Sequence, residues 1–547
     1  MSQLKFFNRF RTYYIIKAEV NMKAVNFDNA SLGIELGSTR IKAVLIDEKF
    51  RVIADGIYNW ENRYENGLWT YSEQDILTGI RGCYADLKRK VREKCGTALR
   101  KVGCIGISAM MHGYIALDKD RKFLVPFRTW RNNNAAYAAE KLTDLFSFPI
   151  PARWSIAHLY QAILDGEEHL PSLAYQTTLA GYVHYILTGN KVVGTGEASG
   201  MFPVDIKGGD YNSKMTELFD GIAAVKNMPW RLRDILPKIL RAGEVAGCLT
   251  EEGAKLLDEE GDLCPGIPFC PPEGDAGTGM VATNSVAEGT GNVSAGTSVF
   301  GMVVLDAFPK KVYSEIDLVT TPAGKPVAMV HCNNCSSEIN AWVKLFAEYN
   351  ALTGRRMSAD ELYSALFRLS LDGDEDCGGV ISYNYVSGEN ITEVSSGRPM
   401  LARSALSRFT LQNVMRCQLY SSMATLKIGM DILLKKEKIS VSKIYAHGGL
   451  FRTEGVCQKY LAAALNVPVS VTETAGEGGP WGMALLAAFT LRGGKDLAAF
   501  LDKEVFADSR EKTVLPDPKT VEGFEKYTEK FEKGLSVERE AANVWEE

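Results

Sequence analysis

The chain has 547 residues, 46% of them hydrophobic and 24% charged, with 62 lysines and arginines against 67 aspartates and glutamates, a formal net charge of −5. That length exceeds what one hydrophobic core holds and predicts two large domains with a cleft between them. The composition excludes a disordered or fibrous chain, and the charge balance gives no electrostatic footprint for nucleic acid.

The 11 cysteines are scattered without a dense framework and fit reduced thiols. Cys332 and Cys335 stand beside His331, but no second ligand pair follows at zinc spacing. No apolar run is long enough to span a bilayer, so no membrane partner is expected. Residues 1–21 carry Lys5, Arg9, Arg11 and Lys17 among aromatics, superficially a targeting peptide; an extension, or a start at Met22, is the preferred reading.

The first element is a strand with Leu32, Ile34 and Leu36 in alternation, broken at Gly37; after Ser38-Thr39 a second strand runs over residues 41–46. A Gly-Ser-Thr turn between strands offers bare N–H groups and hydroxyls to an anion, although most such turns only turn the chain. Residues 51–55 read as a third strand. Ser72 and Asp75 then form a capping-box pattern ahead of Leu77, Ile80, Tyr84, Leu87 and Val91 at helical spacing. A fourth strand covers 102–107, and 114–117 with 123–125 read as a hairpin.

Asp275 follows a proline-rich strand at 267–272 and precedes a small-residue helix at 278–283. An aspartate held there can accept a proton from a hydroxyl nucleophile, or can simply cap the helix. The opening pattern then recurs: strands at 292–295 and 299–305 flank Gly296-Thr297-Ser298, followed by a strand at 327–331 and a helix at 336–349. This recurrence suggests duplicated domains facing one nucleotide. A long helical stretch (406–434) leads to a strand ending in His447-Gly448-Gly449 and a helix at 453–465. Those glycines permit close approach of a ring or phosphate, or only a strand-to-helix turn. A third glycine cluster, 476–480, opens a helix at 481–491; the charged tail beyond, with a helix at 521–535, reads as a surface appendage.

Taken together, the first turn, residues 108–113, Trp130, residues 197–200, Gly274-Asp275, Gly296-Thr297-Ser298 and His447-Gly448-Gly449 resemble, in order and spacing, the FGGY family of carbohydrate kinases. The likeness spans residues 31–495, and the Met-His-Gly turn is most similar to that of the xylulokinases, with ribulokinases next. The resemblance implies an α/β fold of two actin-like, ribonuclease-H-like domains with a cleft between them. Residues 31–285 would hold the sugar site, first phosphate loop and base, and 286–495 the second phosphate loop and adenosine site. Residues 1–30 and 496–547 would be extension and appendage.

The implied activity is transfer of the γ-phosphate of ATP, with Mg2+, to a terminal hydroxyl of a small sugar, most simply a ketopentose such as xylulose or ribulose. A polyol, hexulose or sugar acid is the alternative acceptor, and a weakly catalytic sugar and nucleotide sensor the alternative of another class. By position Asp275 matches the general base and lies with Glu35 at the magnesium site. Gly37, Ser38, Thr39 and Lys42 match the first phosphate loop, Gly296, Thr297 and Ser298 the second, and Gly448 and Gly449 the adenosine motif. Met111, His112, Trp130 and Asn132 match sugar contacts. Glu35 and Asn132 stand where relatives usually have aspartate, and Ala276 where pentulose kinases have asparagine; these departures bear on the acceptor more than on the reaction. Arg131, beside Asn132, raises the thought of an acidic sugar. A cytoplasmic location is expected. The family is often dimeric, so a homodimer is the implied assembly.

Overall fold

In a computed structural model of the chain, residues 25–472 and 478–544 are described. The basic stretch at 1–21 and residues 476 and 477 of the third glycine cluster lie outside them.

The first sheet begins with β1 (Ser31–Leu36), β2 (Arg40–Ile46) and β3 (Val52–Asn59), an antiparallel meander. Helix α1 (Glu73–Cys95) follows. The Ser72 hydroxyl accepts the Asp75 N–H at 3.1 Å, the Asp75 carboxylate accepts the Ser72 N–H at 2.9 Å, and Gly96 ends the helix in the left-handed region at φ 71°. Strand β4 (Cys104–Ala109), buried along its whole length, pairs parallel to β1. The expected hairpin at 114–125 is replaced by a longer-range pair: Ile115–Leu117 pairs with Tyr175–Thr177 and meets Phe123 only through a single bridge. Strand β5 (Glu273–Gly274) joins the far edge of β4, and helix α2 (Asp275–Ala282) leaves it directly.

The second sheet repeats this plan. Strands β6 (Thr290–Ala295), β7 (Val299–Val304), an added edge β8 (Asp317–Thr320) and β9 (Pro326–Cys332) are antiparallel. After helix α3 (Leu411–Asp431), β10 (Lys443–Gly448) pairs parallel to β6; helix α4 (Val456–Leu465) then leads to β11 (Val469–Thr472), parallel to β10. The spatial order is β3-β2-β1-β4-β5 in one sheet and β9-β7-β6-β10-β11 in the core of the other. The duplication expected from two hydroxyl-bearing turns is therefore present in strand order and direction.

The C-terminal part departs from expectation. Helix α5 (Gly478–Leu491) returns to the first sheet, where a Cβ at Gly33 would overlap the Pro480 carbonyl oxygen and the Ala484 nitrogen. The charged tail is no surface appendage. Strand β12 (Glu511–Val514) extends the second sheet beside β11. Helix α6 (Pro518–Val544) buries Phe524, Tyr527 and Phe531 in the second core. Its charges obscure a buried stripe spaced at three and four residues.

Candidate active site

Side chains in register across a sheet project from the same face, so pairing alone aligns much of the site. In the first sheet one row runs Lys42, Glu35, Ser108, Glu273. In the second a row runs His331, Phe300, Ser294, His447, and the next runs Asp317, Met329, Met302, Asn292. A cavity of about 360 Å3 opens between the domains, lined from the first by Glu35, Ser38, Met111, His112, Trp130, Asp275 and Ala276 and from the second by Asn292, Ser294, Ser298, Phe300, Met329, His331 and His447. Counting back from Gly37 and from Gly296, Glu35 and Ser294 occupy equivalent positions two residues before their turns.

Asp275 is the first residue of α2. Its Oδ1 accepts the Met111 N–H at 3.1 Å and the Ala276 N–H at 3.0 Å. The side chain is exposed to the cleft, yet the surrounding protein removes enough hydration to raise its carboxyl to about 6. Glu35 is pushed up further, to about 8, by loss of hydration and then by the Asp275 charge, against the opposing pull of Lys42, its direct cross-strand partner. Two carboxylates that repel one another in a cleft suit a divalent cation, and magnesium ordinarily takes one or two carboxylates, the remaining positions going to phosphate oxygens and water. Glu35 also lies against the start of α5, where a Cβ at Gly479 would overlap its carboxylate.

The two turns expected to hold phosphate face each other across this cleft through Ser38 and Ser298. In the first, the Gly37 N–H bonds the Arg40 carbonyl at 3.0 Å, while Trp60 Nε1 and the Tyr71 hydroxyl bond the carbonyls of Gly37 and Ser38 at 2.7 and 2.6 Å. In the second, the Gly296 N–H bonds the Ser298 carbonyl at 2.8 Å, and the backbone N–H groups of Cys335 and Ser336 hold the carbonyls of Thr297 and Gly296. Turn carbonyls are thus pinned from outside the cleft. Gly448, at φ 105°, passes so close to Ala295 that a Cβ would overlap its carbonyl oxygen, which brings the Gly448-Gly449 step beside the second turn. Lys42 approaches through Glu35 rather than through the cavity wall.

Elsewhere on the cavity wall His112 sits at φ 73°, a left-handed conformation uncommon outside glycine. Its Nδ1 lies 3.2 Å from the Gly200 carbonyl. A carbonyl only accepts, so Nδ1 carries the proton and Nε2 keeps its lone pair. Burial, then the nearby Arg153 charge, hold this imidazole neutral, far below its ordinary pKa; the same causes bring His331 to about 3, and burial brings His447 to about 4. Asn292 is fully buried with both amide atoms unpartnered, an orphaned polar group at the cavity wall.

Asn132 does not reach this cavity. Its Oδ1 accepts the Trp69 N–H at 2.9 Å and its Nδ2 donates to the carbonyls of Trp69 and Thr129 at 2.8 and 3.0 Å, so the amide is spent clamping backbone. Arg131 lies over the Trp69 ring at 3.9 Å. Sequence reasoning missed Arg153, Asn292, Phe300, Met329 and His331. Alternation along β6, β7 and β9 could have placed the last four on one face; nothing local marks Arg153. It also passed over Glu273, whose buried carboxylate accepts the N–H groups of Gly196 and Glu197 at 3.2 and 2.9 Å. That clamp fixes the segment carrying the Gly200 carbonyl behind His112.

Comparison with known proteins identifies relatives of this fold. The N-terminal domain of the FGGY family of carbohydrate kinases matches residues 30–149 and its C-terminal domain residues 291–491. A xylulose kinase of Haemophilus influenzae is 23% identical over 476 residues, 82% of this chain and 91% of the relative. Two solved structures from Lactobacillus acidophilus, each 17% identical, share the fold. A gluconate kinase superposes with a TM-score of 0.76 over 94% of this chain and 99% of its own. A ligand-bound xylulose kinase superposes at 0.74 over 94% and 98%.

Proposed function

The chain belongs to the FGGY family of carbohydrate kinases and is a sugar kinase; from that premise we propose that it transfers the γ-phosphate of ATP to a terminal hydroxyl of a neutral ketopentose such as xylulose. The observation that carries this reading is the convergence of Asp275, the Met111-His112 turn and both hydroxyl-bearing turns on one interdomain cavity. The xylulose kinase among the curated relatives supports the acceptor. Arg131, which would suit an acidic sugar, lies over the Trp69 ring and is not among the residues lining the cavity.

In this reading the acceptor hydroxyl lies against Asp275, whose Oδ2 takes the proton while Oδ1 is held by the Met111 and Ala276 N–H groups. The hydroxyl oxygen forms its bond to the γ-phosphorus as the bond to the bridging oxygen of ADP breaks. His112 Nε2 accepts from a second sugar hydroxyl, and Trp130 walls the carbon face. Residues 38–39 and 297–298 present N–H groups and hydroxyls to the phosphates, the Gly37 and Gly296 N–H groups being bonded within the turns, and Gly448-Gly449 leaves room for adenosine. Glu35 and Asp275 would hold Mg2+ beside the phosphates, where the ion supplies charge neutralisation for phosphoryl transfer. Closure of two domains on the sugar excludes water, so hydrolysis without acceptor is slow.

The eleven cysteines are free thiols, in keeping with a cytoplasmic location, and no described helix is long and apolar enough to cross a membrane. The homodimer suggested by the family is checked by light scattering. Coupled ADP release across ketoses, polyols and aldonates tests the function, with a pentulose expected to give the highest kcat/KM. ATP binding without turnover on any sugar would replace the kinase reading with a sensor.

A further inference from the structure

The sugar end of the cleft contains one cation that phosphoryl transfer does not use. Arg153 lines the 360 Å3 cavity with His112 and His331, and on its other side borders a second cavity of about 720 Å3. Its carbonyl accepts the Gly113 N–H at 3.1 Å, which ties it to the turn that carries His112. Its guanidinium is ion-paired with Asp317, a residue of the other domain. Backbone register sets that partner: β8 pairs with β9 so that Asp317 stands opposite Met329, and Met329 lines the cavity. Asp317 borders only the larger cavity.

Charges lining the smaller cavity here are few, whereas the larger cavity carries Glu140, Asp144, Glu315, Glu389 and Glu393 besides Asp317. His112 and His331 are neutral, and among the described residues lining the smaller cavity Arg153 is the one positively charged side chain. Asp317 cancels it from behind. A guanidinium has five N–H donors, and the contact to Asp317 uses Nη2, so others remain for a ligand. A sugar hydroxyl can accept from them without charge. A sugar carboxylate at the same place would meet the like charge of Asp317 and a guanidinium already neutralised.

We propose that the Arg153–Asp317 pair sets the charge class of the acceptor: Arg153 donates to hydroxyl oxygens of a neutral sugar, and Asp317 keeps sugar acids out. This rests on the reading of the protein as a ketopentose kinase and adds a determinant of its specificity. Removing the Asp317 charge leaves Arg153 uncompensated in a half-buried site, and a ligand carboxylate then becomes its counter-ion.

The test compares kcat/KM for xylulose with that for xylonate and gluconate in the wild type, Asp317→Asn, Arg153→Gln and the double variant, using the full chain. Asp317→Asn is expected to raise the aldonate-to-ketose ratio about 10-fold or more, and the double variant to lose that gain. Arg153→Gln is expected to raise the KM for xylulose about 10-fold while the KM for ATP stays within about two-fold. An unmoved ratio in Asp317→Asn, with a wild type that prefers the ketose, overturns the inference and leaves the acceptor assignment standing. A wild type that prefers aldonates overturns both. Should Asp317→Asn fail to fold, an unchanged xylulose KM in Arg153→Gln overturns the inference by itself.

Discussion

Glu35 and Asp275 are crowded into one cleft, and each raises consequences that can be measured at the level of a single group. Asp275→Asn keeps the shape and removes the proton acceptor, so kcat should fall about 10^3-fold while the KM for ATP is little changed. With its carboxyl near 6, kcat/KM of the wild type should decline below about pH 6 as the base becomes protonated. Glu35, near 8 without metal, holds a proton at neutral pH that a cation must displace. Mg2+ affinity should therefore climb from pH 6 to pH 8 and then level, and calorimetry in buffers of different ionisation enthalpy should show proton release at pH 7 that fades by pH 9. The stability effect runs against pH instead. A carboxyl raised on folding favours the folded state at low pH, and that contribution is lost as pH rises through the folded-state value. Glu35→Gln should raise the melting temperature at pH 8 and change it little near pH 4, where wild-type Glu35 is already protonated when folded.

Helix α5 shows how an element can belong to one domain by packing and to another by sequence position. It follows β11 of the second sheet but lies on β1 and β4 of the first, with Met483 against Gly106 and Pro480 against Gly33. Close approach requires the absent side chain at Gly33. Gly33→Ala should cost about 1–3 kcal/mol through overpacking, read as a fall in melting temperature of the first domain. Gly479 differs, because it stands at the start of the helix against the Glu35 carboxylate. Gly479→Ala should displace that carboxylate and weaken Mg2+ binding more than it lowers the melting temperature, a contrast that separates positioning of Glu35 from support of the fold.

At the scale of the molecule the chain crosses between domains repeatedly: from α2 to β6, from β11 to α5, and from the segment around Phe506 to β12. The segment before the last crossing is anchored on the first domain by Phe500 against Phe50 and by Trp481 against Phe506. After it, β12 and α6 complete the second. Lys427, fully buried on α3, is paired with Asp431 and with Glu525 of α6, and Phe531 packs 4.7 Å from the Tyr383 ring. Phe531→Ala should cost about 3–5 kcal/mol and unfold the second domain ahead of the first, visible as a split thermal transition that ATP no longer shifts upward.

The sequence alone determined the parts whose cause is local. Strand alternation, the Ser72-Asp75 cap, glycine at both hairpin turns and an aspartate at a helix start follow from near neighbours, and their ordered recurrence was enough to give the family and the duplicated plan. It also singled out Asp275, Glu35, Met111, His112 and two hydroxyl-bearing turns; the four residues line one cavity together with Ser38 and Ser298 of the turns. What depends on pairing between distant strands was decided only by the tertiary structure. Asn132 has the right residue type for a sugar contact, but the backbone of Trp69, 63 positions earlier, and the carbonyl of Thr129 take up its amide. Arg153 and Asp317 are separated by 164 residues and meet because β8 pairs on the edge of the second sheet. The tail reads as solvated because its charges outnumber its aromatics, while burial is set by the groove that α3 and α4 present to it. Periodicity records which face of an element is apolar, and only the packed domains record what that face meets.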